Sequence, residues 1–287
     1  MIATDAWAFL NISHPVCAWA AYRGVLVSTR PDPGYLSIWT LSMIQSGDKH
    51  RIQRELSLEI QRATYYPKRV SRLKGMYCFT DLRSAERAME WGGHFKPEYL
   101  AELSLAEASK VSGKLDSNWI TFELQEPPFP PRALNAYWSG LPYPEYEPIW
   151  ETLVEGRLIV LGTELRERAY ALVERYMPFS TAFLEGSRVA AWAGSDLGST
   201  TGWVHEDGDD LVFDYIMDMR DATNEKFLER LGALRASGHP MRPEAVQAFA
   251  EDNVRLPDLR PLSFRRPKSL LPFCGATIRM GIPRQSG

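Results

Sequence analysis

The chain has 287 residues, of which 45% are apolar and 24% are charged, and its formal net charge is −3. These values are typical of a soluble globular protein with one large domain or two modest ones. No apolar run reaches the ~20 residues that a membrane-spanning helix needs, and the N-terminus lacks the basic start of a secretory signal. We therefore expect no membrane partner.

Cysteine and histidine are sparse and scattered along the chain. Cys17, Cys78 and Cys274 form no CxxC pair, which excludes a disulfide framework and a cysteine-rich zinc site. The five histidines never occur as HxH or HxxxH, so no metal site is predicted. Such cysteine usage fits a reducing compartment, and we expect a cytoplasmic protein.

The charge is distributed unevenly. Residues 254–287 carry seven basic residues and one acidic residue, so the tail is strongly basic and the rest of the chain is acidic. A basic tail either meets nucleic acid or an acidic partner, or it neutralises the body of its own protein. We predict that the tail docks on the body, because it has too many apolar residues for a free arm. These are Leu259, Leu262, Phe264, Leu270, Leu271 and Phe273.

The first part of the chain predicts strands and one clear helix. Residues 20–28 read as a buried strand interrupted by Arg23, and residues 35–44 as a second strand or a short helix. Between them, residues 30–34 (RPDPG) form a turn. Residues 48–64 place apolar side chains on one face at helical spacing and predict an amphipathic helix.

The central stretch, residues 65–105, organises the predicted domain. It reads as a basic loop, a strand at 75–79, a helix that begins near Asp81, and a second strand at 99–105. The side chain of Asp81 can accept the free N–H groups of the first helical turn.

The next segment predicts strands on either side of a long loop. Residues 118–124 read as a strand, residues 126–148 contain seven prolines and read as an ordered surface loop, and residues 157–161 read as a strand. Strands separated by one helix and one long loop indicate an α+β fold with a mixed, strongly bent sheet over residues 20–162.

Beyond residue 162 the pattern becomes mainly helical. Helices are predicted at residues 164–176, 181–193, 225–236 and 243–250, and an acidic turn at 205–210 leads into a strand at 211–217. The predicted organisation is an α+β domain at 1–162, followed at 163–287 by a mainly helical accessory region with a basic tail.

Two late carboxylates are candidates for chemistry. Glu151 and Glu155 are one turn apart on a helix or on one face of a strand, near the aromatic pair Tyr137 and Trp138. A carboxylate there can accept a proton or stabilise a developing positive charge. The alternative is a solvated glutamate pair beside the core.

Two arginines are candidates for anion binding. Arg72 lies just before the strand at 75–79, where its guanidinium can hold a phosphate or remain a solvated loop side chain. Arg23 lies inside an apolar stretch, and a buried arginine needs an anion from the protein or from a ligand.

In their order along residues 20–162, these features resemble the ADP-ribosyltransferase fold. Tyr22-Arg23-Gly24 is similar to the first motif of that family, and residues 74–79 (KGMYCF) followed by Ser84 are similar to the second. Glu151 or Glu155 matches the late catalytic glutamate. Residues 71–79 are also similar to a segment of uncharacterised bacterial proteins with that fold.

The resemblance implies that NAD is the substrate. It implies that Arg23 or Arg72 binds the pyrophosphate, that Tyr77 sandwiches the nicotinamide with Tyr137 or Trp138, and that Ser84 contributes to the NAD site. Glu151 or Glu155 would then contact the ribose.

The expected function is transfer of ADP-ribose to a macromolecular acceptor, protein or nucleic acid, or to water. The alternative is an inactive relative of the family that binds a partner protein or nucleic acid. The sequence has no Ser-Thr-Ser triplet and no ExE or QxE at the late strand, which leaves the arginine-type and histidine-type sites both open.

Overall fold

A computed structural model describes residues 5–106, 109–238 and 241–270. The α-helices are α1 Pro15–Arg23, α2 Ile38–Ser46, α3 Lys49–Tyr65, α4 Leu82–Ala88, α5 Asn118–Glu123, α6 Pro131–Ser139, α7 Glu164–Tyr176, α8 Thr181–Trp192, α9 Glu225–Ala236 and α10 Pro243–Ala250. The strands are β1 Ala6–Phe9, β2 Val25–Val27, β3 Tyr35–Leu36, β4 Met76–Phe79, β5 Leu100–Leu105, β6 Lys110–Val111, β7 Leu115–Asp116, β8 Trp150–Glu155, β9 Arg157–Val160, β10 Thr200–Asp207, β11 Asp210–Met217 and β12 Phe264–Pro267.

The strands form two antiparallel sheets. The larger has the order β2-β9-β5-β1-β4-β8-β6, with β7 also paired to β8, and the smaller has the order β12-β11-β10-β3. The α+β class predicted from the sequence is confirmed. The sheet is not mixed, since all pairings among the described residues are antiparallel. Each strand of the sheet therefore runs in the direction opposite to that of its neighbours.

The larger sheet is strongly curved at one glycine. Strands β8 and β9 are joined by Gly156 alone, yet β4, β1 and β5 lie between them in the sheet. The sheet must therefore curve until these two strands meet. Gly156 has φ of +126°, and a Cβ at this position would lie 2.8 Å from the Ser109 hydroxyl, so only glycine fits the corner.

The strand predicted at residues 20–28 is wrong. Helix α1 occupies residues 20–23 of this segment, and the strand β2 covers only Val25–Val27, after Gly24. Pro15 is well placed in the first turn of the helix, and Gly24 ends it in the left-handed conformation with φ of +83°. The apolar residues at the start of the segment belong to a buried helix. A short run of apolar residues does not distinguish a buried helix from a buried strand.

Two further predictions between residues 118 and 148 are corrected. The strand predicted at 118–124 is helix α5, and the proline-rich loop contains helix α6. Proline can occupy the first turn of a helix, where its missing N–H has no partner to lose, and Pro131 has this position in α6. The segment 35–44, predicted as a strand or a helix, contains both β3 and the first part of α2.

The periodic helices and the central stretch agree with the sequence predictions. Helices α3, α7 and α8 and strands β4, β5 and β11 lie within one or two residues of their expected positions. The acidic turn predicted at 205–210 is shorter, because β10 continues to Asp207 and β11 begins at Asp210. Asp81 caps α4, because its carboxylate accepts the Ser84 backbone N–H at 2.7 Å.

The described part of the basic tail packs on the smaller sheet. Strand β12 pairs with β11, and the Phe264 ring stacks on Phe213 with centroids 4.9 Å apart. Arg265 pairs with Asp207 at 2.6 Å, and Lys268 with Glu206 at 2.9 Å. The tail thus neutralises the acidic hairpin, as predicted. Leu271 and Phe273 lie outside the described residues.

The largest apolar cluster crosses the predicted domain boundary at residue 163. It includes Trp19 and Leu103 from the first part of the chain and Val173, Leu184 and Phe227 from the second. The C-terminal part is helical, as expected, and also supplies strands β10, β11 and β12. The division into residues 1–162 and 163–287 stays a prediction.

Across residues 5–106, 109–238 and 241–270, the helices are all too short or too polar to cross a membrane.

Deletion of residues 254–287 tests the docking of the tail. We expect the free energy of unfolding to fall by at least ~2 kcal/mol, because the deletion removes buried Leu259 and uncovers Phe213. Denaturant unfolding measures the change. Arg260→Ala is the control and should stay within ~0.5 kcal/mol, because this side chain is 90% exposed. A deletion variant as stable as the whole chain would contradict the packing.

Candidate functional site

A buried arginine lies at the centre of the site. Arg72 precedes β4 and is 3% exposed. Its guanidinium donates to both carboxylate oxygens of Glu55, from Nε at 2.6 Å and from Nη2 at 3.1 Å, and from Nη1 to Glu151 at 2.5 Å. Burial by itself lowers the pKa of Arg72. The negative charge of Glu55 and, to a smaller extent, that of Glu151 act in the opposite direction, and the pKa lies well above its usual value. The guanidinium is therefore charged and fixed between two carboxylates.

Glu151 is held by three donors. It lies on β8, is 7% exposed, and accepts from Arg72 and from the Tyr137 hydroxyl at Oε1. At Oε2 it accepts from the Ser117 hydroxyl at 2.7 Å. Because a carboxylate has about four acceptor positions, one position on Oε2 is left for a further donor.

Two tyrosine rings flank the guanidinium. The Tyr77 and Tyr137 ring centroids lie 4.8 and 5.1 Å from Cζ of Arg72, within the range of cation–π attraction. The Tyr77 hydroxyl donates to the Arg72 carbonyl at 2.8 Å, and its ring packs against Trp39 at 4.3 Å. Tyr137 is fully buried in α6, whereas Tyr77 is only half-buried and can contact a ligand.

Arg72, Glu151 and Tyr77 line one cleft with a volume of about 480 Å³. Its aromatic lining consists of Phe9, Trp39, Phe79, Trp91, His94 and Phe95. Its other polar lining includes Arg51, Arg54, Glu55, Ser117, Thr121 and Gln125. The cleft thus combines ring surfaces, a fixed carboxylate and several cationic donors.

The arginines give the cleft a surplus of positive charge. Arg51, Arg54 and Arg72 line it together with Glu55 and Glu151. Arg54 Nε is buried without a hydrogen-bond partner among the described residues, since Glu55 Oε1 lies 4.0 Å away. Burial lowers the pKa of Arg54, with Glu55 acting in the opposite direction. Among the described residues, Arg51 and Arg54 form no side-chain hydrogen bond to a carboxylate, so their charge is less neutralised than that of Arg72.

Glu155 does not lie in this cleft. It ends β8, its side chain is 52% exposed, and its carboxylate lies 3.8 Å from Lys110 Nζ. It lines a different cavity, of about 280 Å³, and Tyr77 is not among the residues that line that cavity. Of the two predicted catalytic glutamates, the structure therefore brings only Glu151 together with Tyr77 and Arg72.

Arg23 is also outside the 480 Å³ cleft. Its guanidinium donates to the carbonyls of Ser195 at 2.7 Å, Val25 at 2.9 Å and Leu197 at 3.2 Å. Burial lowers the pKa of Arg23 to about 10. Its partners are backbone carbonyls and not the anion expected from the sequence. Arg23 ties α1 to the loop after α8.

Ser84 and Trp138, also predicted for the NAD site, have structural contacts. The Ser84 hydroxyl accepts the Trp150 backbone N–H at 3.0 Å and joins α4 to β8. Trp138 is fully buried and donates its indole N–H to the Leu58 carbonyl at 2.8 Å. Neither residue lines the cleft.

Sequence reasoning missed Glu55, Arg54 and Ser117 as parts of the site. A signal for Glu55 was present, because it lies three residues after Ile52 and directly before Leu56, within the apolar stripe of α3. A charged residue in such a stripe is buried and needs a partner. Ser117 carries no comparable signal.

Within the described ranges, His, Cys, Asp and Glu side chains form no group that could hold a metal ion. Comparison of the chain with protein-family models, with curated proteins and with solved structures gives no match.

Glu55→Gln tests how much the buried ion pair between Glu55 and Arg72 contributes to stability. The variant replaces a charge-assisted bidentate contact with a neutral amide, so we expect the free energy of unfolding to fall by ~1.5–3 kcal/mol. Glu155→Gln is the matched control, because its ion pair is exposed, and it should change stability by less than ~0.5 kcal/mol. Denaturant unfolding compares the two, and equal effects would contradict the assigned role of Glu55.

Proposed function

We propose that the 480 Å³ cleft binds NAD and that Glu151 supports cleavage of the bond between nicotinamide and ribose. ADP-ribose then passes to a macromolecular acceptor or to water. The observation that carries the proposal is the meeting of Glu151, Arg72 and Tyr77 in one cleft. These residues come from the segments whose sequence resembles that of ADP-ribosyltransferases.

The chemistry of the cleft suits the parts of NAD. The nicotinamide ring is planar and cationic, and the half-buried rings of Tyr77 and Trp39, which line the cleft, attract such a ring. The pyrophosphate is anionic, and Arg51 and Arg54 line the cleft as cations that no carboxylate holds by a hydrogen bond among the described residues. The Cζ atom of Arg51 lies 5.2 Å from the centroid of the Trp39 ring. We assign the pyrophosphate to Arg51 and Arg54, because Arg72 is already held by two carboxylates.

Glu151 acts on charge that develops during the reaction. The C–N bond breaks with its electron pair leaving on nicotinamide, so the ribose gains positive charge. The Glu151 carboxylate stabilises that charge and accepts a hydrogen bond from a ribose hydroxyl at the vacant position on Oε2. Arg72, Tyr137 and Ser117 hold the carboxylate in place, so little reorganisation accompanies bond cleavage. The acceptor nucleophile then attacks the ribose carbon and releases its proton to water.

We place this activity in the cytoplasm. Cys17 and Cys78 are free thiols, and burial raises the pKa of each to about 12, which keeps both protonated and unreactive. Such cysteines fit a reducing compartment.

Glu151→Gln tests the proposed catalytic role. Nicotinamide release from NAD should fall at least ~10²-fold, because the amide loses the stabilising charge. NAD binding should change little, and Glu155→Gln should keep full activity, since that side chain lies outside the cleft. Release of free nicotinamide measures the rate, and calorimetric titration measures NAD binding.

Glu151 is buried in an ion pair, so folding of the variant must be measured by circular dichroism and thermal unfolding. Ser117→Ala provides a milder second variant, with release lowered ~10-fold through poorer positioning of Glu151. Full nicotinamide release by folded Glu151→Gln would overturn the catalytic role. A wild-type chain that binds NAD without releasing nicotinamide would favour the non-catalytic binding protein.

Tyr77 variants test the ring contact with nicotinamide. Tyr77→Ala should weaken NAD binding ~10-fold and also lower stability, because the ring packs against Trp39 and Arg72. Tyr77→Phe keeps the ring and loses only the hydrogen bond to the Arg72 carbonyl, so its NAD affinity should stay within ~3-fold of wild type. Equal NAD affinities for wild type and folded Tyr77→Ala would place nicotinamide elsewhere.

A further inference from the structure

An exposed group of aromatic rings lies on α5 and on the segment that follows α6. Phe122 is 45% exposed and Tyr146 is 50% exposed. Their rings are stacked, with centroids 4.4 Å apart and an angle of 17° between the ring planes. The Tyr143 ring lies 5.4 Å from that of Phe122 and 6.1 Å from that of Tyr146, at angles of 29° and 13°. We call these three residues the ring platform.

The ring platform continues into further apolar surface. Trp119 packs edge-on against Tyr143 at 4.9 Å and donates its indole N–H to the Leu141 carbonyl at 2.8 Å. Leu141 is 54% exposed, and Pro142 and Pro144 are exposed as well. Contiguous apolar surface that is exposed to water often marks a site of interaction. The surface therefore indicates a place where a partner docks.

The segment that carries the ring platform is acidic. Residues 118–148 contain four glutamates and one basic residue, Arg132. Arg132 pairs with Glu123 at 3.1 Å, and Glu147 pairs with an arginine of α4 at 2.7 Å. Glu126 and Glu145 are exposed and form no ion pair within the described residues. The segment thus has negative charge that its own arginine does not neutralise.

Two of these carboxylates lie beside the rings. Glu123 Oε1 is 3.5 Å from the Tyr143 hydroxyl. The pKa of Tyr143 is raised, first by burial and then by the negative charges of Glu145 and Glu123. A polyanion such as nucleic acid would be repelled by this surface, whereas a cationic partner would be attracted to it.

We propose that the ring platform binds an extended, arginine-rich segment of a partner protein. A guanidinium group is planar, stacks on aromatic rings and pairs with carboxylates, so it matches both parts of the surface. The apolar surface around Leu141 accommodates the aliphatic stems of the arginine side chains. A lysine ammonium matches the carboxylates but is a compact point charge that does not stack on rings.

The ring platform lies next to the 480 Å³ cleft. Helix α5 contributes Ile120 and Thr121 to the lining of the cleft, and Phe122 of the same helix belongs to the platform. A segment bound to the platform is therefore held beside the cleft. Its binding requires neither NAD nor a reaction in the cleft, so the proposal does not depend on the proposed function.

Calorimetric titration of the full chain with capped hexa-arginine tests the surface. We expect one peptide to bind at low salt with a Kd below ~0.1 mM. Capped hexalysine has the same charge and should bind ~3- to 10-fold more weakly, because its ammonium groups do not stack on the rings. No binding of hexa-arginine, or equal binding of the two peptides, would overturn the proposal.

Matched variants locate the bound peptide. Phe122→Ala and Tyr146→Ala should each weaken hexa-arginine binding ~3- to 5-fold, because each removes a stacking surface. Glu145→Gln should weaken it ~2- to 3-fold through the lost charge. Phe179→Ala and Glu244→Gln are the controls and should leave binding unchanged, because both are exposed residues outside the platform. Thermal unfolding verifies that each variant is folded. Wild-type affinity in both ring variants, or an equal loss in Phe179→Ala, would contradict the platform as the site.

Two other occupants of the platform would give distinct results. If a second copy of the chain covers it, the wild-type chain sediments as a dimer and folded Phe122→Ala sediments as a monomer. If the chain's own Arg279 and Arg284 cover it, which lie outside the described residues, replacing both with alanine raises the affinity for hexa-arginine at least ~3-fold. Either result would overturn a partner protein as the occupant. We expect a monomer, and unchanged affinity in the double variant.

Discussion

The burial of one guanidinium between two carboxylates is the interaction on which the candidate site depends. Arg72 can remain charged in the interior only because Glu55 and Glu151 compensate the loss of water. Those two residues lie on α3 and β8, so the same contacts fix the helix against the larger sheet. The hydrogen bond from Tyr137 to Glu151 also attaches α6 to the site, and the hydrogen bond from Ser117 to Glu151 attaches the turn before α5. Removing any one member leaves a buried charge or hydroxyl with fewer partners, which couples the site to the fold.

The curvature of the larger sheet decides which glutamate belongs to the cleft. Glu151 and Glu155 lie on the same strand, four residues and about 13 Å apart. The strand ends at the Gly156 corner, where Glu155 meets solvent and Lys110. Glu151 lies further inside the sheet, opposite Phe79 on β4, and both residues line the cleft. The same side-chain type therefore has two different environments on one strand.

The sequence predicts the parts of this structure that carry a long periodic signal. Helices α3, α7 and α8 have several turns of apolar spacing, and Asp81 has a local capping role, so each could be read without tertiary information. Residues 20–28 and 118–124 are short apolar runs that fit a strand or a helix equally well. Tyr137, which was predicted to contact nicotinamide, is fully buried and contacts Arg72 and Glu151 instead. The site was predicted in part, through Arg72, Tyr77 and Glu151. Their partner Glu55 is distant in sequence from all of them, and only the folded sheet brings it to Arg72.

A crystal structure of the chain soaked with NAD is the most direct test of the proposed function. The account predicts that the nicotinamide ribose lies within hydrogen-bond distance of Glu151 Oε2, with the ring against Tyr77 and the pyrophosphate beside Arg54. It also predicts that the Arg72 contacts to Glu55 and Glu151 remain unchanged on binding. NAD bound away from Glu151, or a cleft that stays empty at saturating NAD, would contradict the account.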